Sequence, residues 1–242
     1  MKSLKIWFLA ALAALLTASL AQAQLSDNFD GYVNQAAFDA SWSAGTGGNL
    51  ALVTDQAKSS PNAIKQGLAA AQSYKLIPGG AIEPDQVNFS FWYYDGGAAL
   101  GRSYGMVYGR SGNNWTDGLT QIFAIGKYNG IAGSKYSGRL LYGTGSGWFN
   151  LDGAADRSVG WRFMEIVGKG DGTIDYKVDG IVGATRTPTA ATINFAVIGS
   201  GLSSATEAWY DNVRANVVPE PGSLLVLGAG LMGMVGLLRR RR

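Results

Sequence analysis

The sequence predicts an all-β protein: an antiparallel two-sheet jelly-roll sandwich, with a short apolar helix at each end of the chain. Three observations carry this. Short alternating runs recur through residues 24–216, glycine clusters separate them, and the 3.6-residue apolar period of helices is nearly missing. One short helix is expected at 34–41, where Gln35-Ala36-Ala37-Phe38 favours it. Strands are expected at 49–53 and 74–77. Residues 86–94 alternate Val87, Phe89, Phe91 and Tyr93 with Asn88, Ser90, Trp92 and Tyr94, which predicts one buried face and one partly aromatic outer face. Residues 101–110 place Tyr104, Met106 and Tyr108 on one side. Residues 119–126 are apolar on both faces and belong in the middle of a sheet. Residues 160–167 set Trp161, Phe163 and Val167 on a core face in the same manner. Gly170-Asp171-Gly172 and Asp179-Gly180 read as hairpin turns on either side of a strand at 173–178. Strands at 139–142, 192–198 and 208–214 bring the total to about ten, the number a jelly roll of this length uses.

The two ends are not part of this domain. Residues 1–23 carry Lys2 and Lys5, an apolar run over 6–16, and the small-x-small series Ala21-Gln22-Ala23. That is a secretory signal peptide with cleavage after Ala23. At the other end, Pro219-Glu220-Pro221 precedes sixteen uncharged residues, 223–238, and then Arg239, Arg240, Arg241 and Arg242. The prolines fix φ and withhold N–H donors, so this stretch stays extended and open to a processing enzyme. Sixteen residues make a helix of roughly 24 Å, a little short of a ~30 Å hydrocarbon layer. The arginines hold the cytoplasmic side and place the preceding domain outside, in agreement with the signal. The expected domains are therefore a signal peptide at 1–23, an extracellular β-sandwich at 24–216, and a sorting and anchor segment at 217–242 with its transmembrane helix at 223–238.

Composition excludes several function classes. The net charge of +3 comes from the ends, because residues 24–216 keep 14 Lys and Arg against 16 Asp and Glu. No basic stripe remains to bind nucleic acid. Cysteine and histidine are absent, which removes thiolate nucleophiles, disulfides, imidazole bases and most zinc sites. The chemistry that survives is that of carboxylates.

The ordered series of Pro-Glu-Pro, short apolar helix and terminal arginines resembles the PEP-CTERM sorting signal, also known as the ice-binding-protein C-terminal motif. The resemblance implies recognition of Pro219, Glu220 and Pro221 by a membrane-embedded exosortase. It also implies an exported protein of a Gram-negative bacterium, anchored in the inner membrane by its C-terminal helix before processing and then placed at the cell surface or in extracellular matrix or biofilm. A looser resemblance covers the domain. Asp27-Asn28-Phe29-Asp30-Gly31-Tyr32 with Trp42, the stretch from Trp161 through Gly180, and Trp209-Tyr210-Asp211-Asn212-Val213-Arg214 look like concanavalin A-like lectin and glucanase jelly rolls. Such folds host lectins, carbohydrate-binding modules, glucanases and adhesion modules, so the fold alone selects no function.

A glycosidase needs two carboxylates about 5–10 Å apart on an open cleft. The Glu-x-Asp-x-Glu run of glucanases of this fold does not occur here, and the only glutamates of the domain are Glu83, Glu165 and Glu207. The expectation is a non-catalytic module that binds or associates with exopolysaccharide. The alternatives are a glycan hydrolase or lyase with unusual catalytic residues, and a purely structural matrix protein. Candidate carbohydrate contacts are Trp92, Tyr94 and Asp95 on the outer face and its following loop, Asn113, Asn114, Trp115 and Asp117 in a loop between two strands, and Trp148. Loop aromatics are the leading candidates, although packing explains any single aromatic equally well. Asp27 and Asp30, with Asp211, are candidate calcium ligands if the termini pair, and carboxylate capping of turns is the competing explanation.

Overall fold

A computed structural model describes residues 24–79, 82–98, 101–131 and 133–217, and it is all-β. The expected signal peptide, the Pro-Glu-Pro motif, the helix at 223–238 and the arginine cluster lie outside the described residues. Among the described residues no helix is long and apolar enough to cross a membrane.

In chain order the elements begin with β1 (Gln24–Asp27), helix α1 (Gln35–Ser41), β2 (Ser43–Ala44), β3 (Ala51–Val53), β4 (Ala63–Gln66) and β5 (Ala71–Leu76). They continue with β6 (Val87–Asp95), β7 (Ser103–Arg110), β8 (Leu119–Lys127), β9 (Ser137–Leu140), β10 (Gly143–Thr144) and β11 (Gly147–Asn150). The last are β12 (Gly160–Gly168), β13 (Ile174–Val178), β14 (Ile181–Pro188), β15 (Phe195–Ser200) and β16 (Ala208–Val217). One sheet has nine strands in the order β10-β14-β13-β12-β6-β16-β4-β3, with β1 added to β16, and the other has seven in the order β11-β9-β8-β7-β15-β5-β2. All named pairings are antiparallel. The termini pair as expected, Asp27 lying opposite Val213. Strand β8 sits between β7 and β9, inside its sheet as its two apolar faces require.

The core lies between the sheets. Strand β6 sends Phe89, Phe91 and Tyr93 inward, where they meet Met164, Ile166 and Tyr210 of their own sheet and Val107, Phe123, Ile125 and Ile198 of the other. All ten are completely buried. Each large apolar side chain so covered contributes about 1.5–3 kcal/mol. The Asp-Gly hairpin appears as read: Asp179 and Gly180 have φ of 52° and 80°, the two positive values of a type I′ turn, and Val178 pairs with Ile181.

Helix α1 starts where the Asn34 side chain accepts a hydrogen bond from the Ala37 N–H at 2.9 Å. Its Gln35 amide then covers the edge strand β3, donating to the Leu50 carbonyl and accepting from the Leu52 N–H at 2.7 Å. That blunts an exposed edge. The opening segment is held by Asp27, which accepts from the Tyr32 hydroxyl at 2.5 Å, the Trp42 indole N–H at 2.9 Å and Lys75 at 3.2 Å. Burial, followed by the bond to Asp27, pushes the Tyr32 hydroxyl up to about 12. The Asp-Asn-Phe-Asp-Gly-Tyr series is thus a packing device for Phe29, Phe38 and Trp42.

One core expectation is corrected and one shared face is located. Trp161 and Phe163 face outward from β12, whereas Met164 and Ile166 face the core. Tyr104, Met106 and Tyr108 lie on the outer face of the seven-stranded sheet in a second apolar cluster, with Ile122, Ala124, Phe195 and Val197.

Gly168 ends β12 against backbone: a Cβ there would lie 2.2 Å from the Asp85 carbonyl carbon and oxygen. Gly168→Ala is expected to destabilise the fold by about 1–3 kcal/mol, since overpacking against main chain cannot be relieved by a rotamer change. Thermal unfolding followed by circular dichroism checks it.

Candidate functional site

The outer face of the nine-stranded sheet carries a row of aromatic side chains. Register places Trp161 opposite Tyr94 and Tyr94 opposite Trp209, so three adjacent strands form one transverse row of rings. One pleat along, Phe163 lies opposite Trp92 and Trp92 opposite Asp211. Tyr94 meets Trp161 and Trp209 edge-on, each at 5.5 Å between ring centres, and Trp92 meets Phe163 at 5.1 Å. All five rings are half-buried, each shielding its neighbours while keeping part of its surface in water.

The loop 54–62 flanks this platform. Asp211 anchors it, accepting from the Lys58 and Ser59 backbone N–H groups at 2.8 and 2.7 Å. Burial raises the Asp211 carboxyl, and these donors oppose the rise. From the loop, the Lys58 ammonium stands 4.1 Å from the centre of the Trp92 ring, and Asp55 accepts the Trp209 indole N–H at 2.9 Å. Lys65 lies 4.5 Å from the centre of the Trp209 ring and pairs with Glu207 at 3.0 Å. Lys65 is thus paired with Glu207 and Asp55, while the Lys58 ammonium keeps its charge over Trp92 at the loop side of the row. Glu165 is one pleat further on, raised by burial with Lys177 opposing, and its register partners are Ser90 and Lys177. Neither is a second carboxylate.

Of the residues expected to touch sugar, Trp92 and Tyr94 stand on this platform. Asp95 does not. It is completely buried at the end of β6, where it accepts from Arg157 Nε at 3.0 Å and from the Gly97 N–H at 2.9 Å and lies 3.5 Å from Lys127. Burial pushes its carboxyl up, but the Arg157 hydrogen bond, Lys127 and the Gly97 N–H together hold it below the ordinary value. Asp95 and Arg157 line an open pocket of about 550 Å³ at that end of the sandwich.

Trp115 is a wedge. Its ring is nearly parallel to Tyr74 at 4.2 Å and to Tyr108 at 5.3 Å, with Phe195 edge-on beneath. Tyr74 and Tyr108 stand on β5 and β7, separated by β15 and two residues out of level along it, so they approach the indole from different strands. Both indole faces are therefore occupied by protein. Trp148 is stacked on Tyr128 at 4.1 Å and packs on Tyr104. Both indoles roof the second apolar cluster, Trp115 from a loop and Trp148 from strand β11, where the sequence reading had expected a loop. Asp117 closes the turn beneath Trp115, accepting from the Asn114 N–H at 2.9 Å. Asn113 and Asn114 line an open cleft of about 510 Å³ with Ser41, Ser43, Tyr74 and Leu76.

The three calcium candidates are each engaged within the protein. Asp27 is occupied by Tyr32, Trp42 and Lys75, Asp30 accepts from Asn28 and the Asn62 N–H, and Asp211 is held by the loop. Among the described residues no group of three or more acidic side chains could hold a metal ion.

Trp161, Phe163 and Trp209 complete the platform although the sequence reading assigned none of them to binding. Two signals pointed to them: Glu165 shares a strand face with Trp161 and Phe163, and Trp209 alternates with Ala208 and Tyr210.

Comparison with known proteins follows the same division between tail and domain. Residues 217–242 match the model of the PEP-CTERM protein-sorting motif, so the chain carries the tail of an exported protein processed by exosortase. The match begins at Val217, the last residue of β16. No curated protein matches the chain. Among solved structures, the globular domain of T. cruzi calreticulin superposes with a TM-score of 0.51 at 9% identity, over 92% of this chain and 100% of that one. An HCR/D mutant superposes with a TM-score of 0.50 at 10% identity, over 86% of this chain and 51% of that one, so the chain spans about half its length. Domain 4 of AbnA, an extracellular arabinanase from Geobacillus stearothermophilus solved with arabinotriose, gives a TM-score of 0.46 at 12% identity, over 72% and 79%. At these identities the likeness is one of fold, and the fold is the expected jelly-roll sandwich.

Proposed function

We propose that this exosortase-sorted protein is a cell-surface or matrix module that binds extracellular polysaccharide, without converting it, on the outer face of its nine-stranded sheet. Its mature domain is residues 24–216, freed from the signal peptide at Ala23 and held in the inner membrane by the helix at 223–238 until the tail is processed. The single observation that carries the binding reading is the contiguous row Trp161, Tyr94 and Trp209 with Trp92 and Phe163 beside it. Pyranose rings present flat C–H faces that pack on such rings, and these five partly buried aromatics lie outside the core between the sheets. Pairing of Lys65 with Glu207 and Asp55 beside the row favours a neutral glycan.

A glycan array probed with the wild-type domain and Trp161→Ala tests this. Trp161 touches no aromatic ring but Tyr94 among the described residues, so its loss leaves the core intact. Truncating one aromatic contact of the row costs about 1.4–2 kcal/mol, which is a roughly 10- to 30-fold weaker binding to the same neutral glycans. Chelator is expected to leave binding unchanged, because Asp27, Asp30 and Asp211 are engaged within the protein. Equal binding by wild type and variant, or no binding to any neutral glycan, would falsify the reading. Release of reducing ends that is lost in Glu165→Gln would replace it with the hydrolase reading.

A further inference from the structure

We propose that the domain holds a second glycan site on its opposite face and therefore cross-links polysaccharide strands; this rests on the binding reading above. The second site is the 510 Å³ cleft beside Trp115, on the outer side of the seven-stranded sheet. Tyr74 and Leu76 of β5 form its floor, and Leu76 is 41% exposed, an apolar side chain facing an open cleft. Asn113, Asn114 and Thr116 form one wall. Their side chains make no hydrogen bond to any described residue, while the loop that carries them is fixed. Trp115 is wedged between two tyrosines, Asp117 holds the Asn114 N–H, and the Ser111 N–H donates to the Gly118 carbonyl at 2.8 Å. The loop thus presents open amides and a hydroxyl from a rigid frame, so little ordering cost attends binding.

Charge identifies the class of occupant. The cation of the cleft, Lys75, is already paired with Asp27 at 3.2 Å and donates to Ser41 at 2.7 Å. What remains is uncharged donors and acceptors over an apolar floor, the complement of a neutral polyhydroxylated chain.

The two sites lie on opposite outer faces, with both sheets, about 10 Å apart, and the core between them. One glycan strand passing over the platform cannot reach the cleft. Each domain that fills both sites therefore joins two strands, and many such domains turn a soluble polysaccharide into a network through avidity alone.

The test uses the 24–217 domain, whose core closes within that span, mixed with galactomannan, xyloglucan or dextran as soluble neutral polysaccharides. Titration with their oligosaccharides gives stoichiometry, and light scattering with the polymers gives cross-linking. Two oligosaccharides per wild-type domain, with scattering that rises and then falls as protein passes equivalence, is the expected result. Trp161→Ala and the surface double variant Asn113→Ala with Asn114→Ala should each retain one oligosaccharide per domain and lose the scattering. One equivalent per wild-type domain, or scattering that persists in the asparagine variant, overturns cross-linking and leaves the platform reading intact. No binding of any of these glycans overturns both.

Discussion

Asp95→Asn is expected to lower the free energy of unfolding by about 3–5 kcal/mol, the cost of leaving a buried charge without its partner. The side chain of Lys127 is completely buried, and among the described residues its ammonium has no hydrogen-bond partner; its compensation is the Asp95 carboxylate at 3.5 Å. Burial depresses the Lys127 ammonium below its ordinary value and Asp95 opposes that shift. Arg157 brings a second positive charge to the same carboxylate and donates to the carbonyls of Gly133 and Ala98, tying three loops to the end of β6. With the carboxylate gone, two cations face each other at low dielectric. A domain of this size has a total stability of about 5–15 kcal/mol, so the variant is close to unfolding at ordinary temperature. Denaturant melts give the number, and the added change Lys127→Met should recover most of it. A loss below about 1 kcal/mol in Asp95→Asn would show that water reaches Lys127 and that the cluster is not dry.

The same group fixes a pH dependence. Since the folded carboxyl titrates below its ordinary value of 3.8, the stability it supplies is fully present above that value and is lost as pH falls through the folded pKa. Wild type should weaken below about pH 4 more steeply than Asp95→Asn, and the two melting curves should converge in acid.

Legibility in the sequence followed how much polarity each strand carried. Strand β6 alternates large apolar residues with smaller polar ones at its start and was placed on the correct face. Strand β12 is apolar on both faces, and taking Trp161 and Phe163 as its core side reversed it. The parity was nevertheless available: Glu165 lies on the tryptophan face, and the hairpin pairs Gly168 with Ile174 and Ile166 with Tyr176, which carries the core face of β13 into β12. About ten strands were read where the described residues hold sixteen: β2 and β10, of two residues each, and the four-residue β1, β4 and β11 are too short for a period to register, while the eight residues of β14 bury none of their side chains and show no clean alternation. The site was harder to read, because platform residues come together only through strand order. Nothing local places Trp209 beside Tyr94, or Lys127 and Arg157 around Asp95. Loop position was also a poor guide to exposure, since an ordered loop needs an anchor and Trp115 serves as one, while Trp148, read as a loop residue, lies in strand β11.

Trp115→Ala is therefore expected to act first on stability, by about 2–4 kcal/mol, somewhat below a fully buried aromatic truncation because the indole is only half-buried. The change empties the slot between Tyr74 and Tyr108, removes a ring 4.6 Å from the Arg110 guanidinium, and uncovers the cluster of Met106, Phe195 and Val197. Tyr108 supplies an independent readout. Burial, followed by its neighbour Tyr104, pushes its hydroxyl up to about 12, and with the indole gone the group should ionise nearer the ordinary value of 10 in an ultraviolet titration. Amide exchange should rise through 111–118 while the platform, on the far side of the core, keeps its glycan affinity. Trp115→Phe, which still fills much of the slot, should recover most of the stability. If Trp115→Ala instead left the melting curve within about 0.5 kcal/mol of wild type and abolished glycan binding altogether, the indole would be a ligand surface and the platform would be packing. The stacking geometry favours the opposite assignment: a tryptophan with both faces covered by tyrosine holds a loop in place, and the amides on that loop are left to meet the ligand.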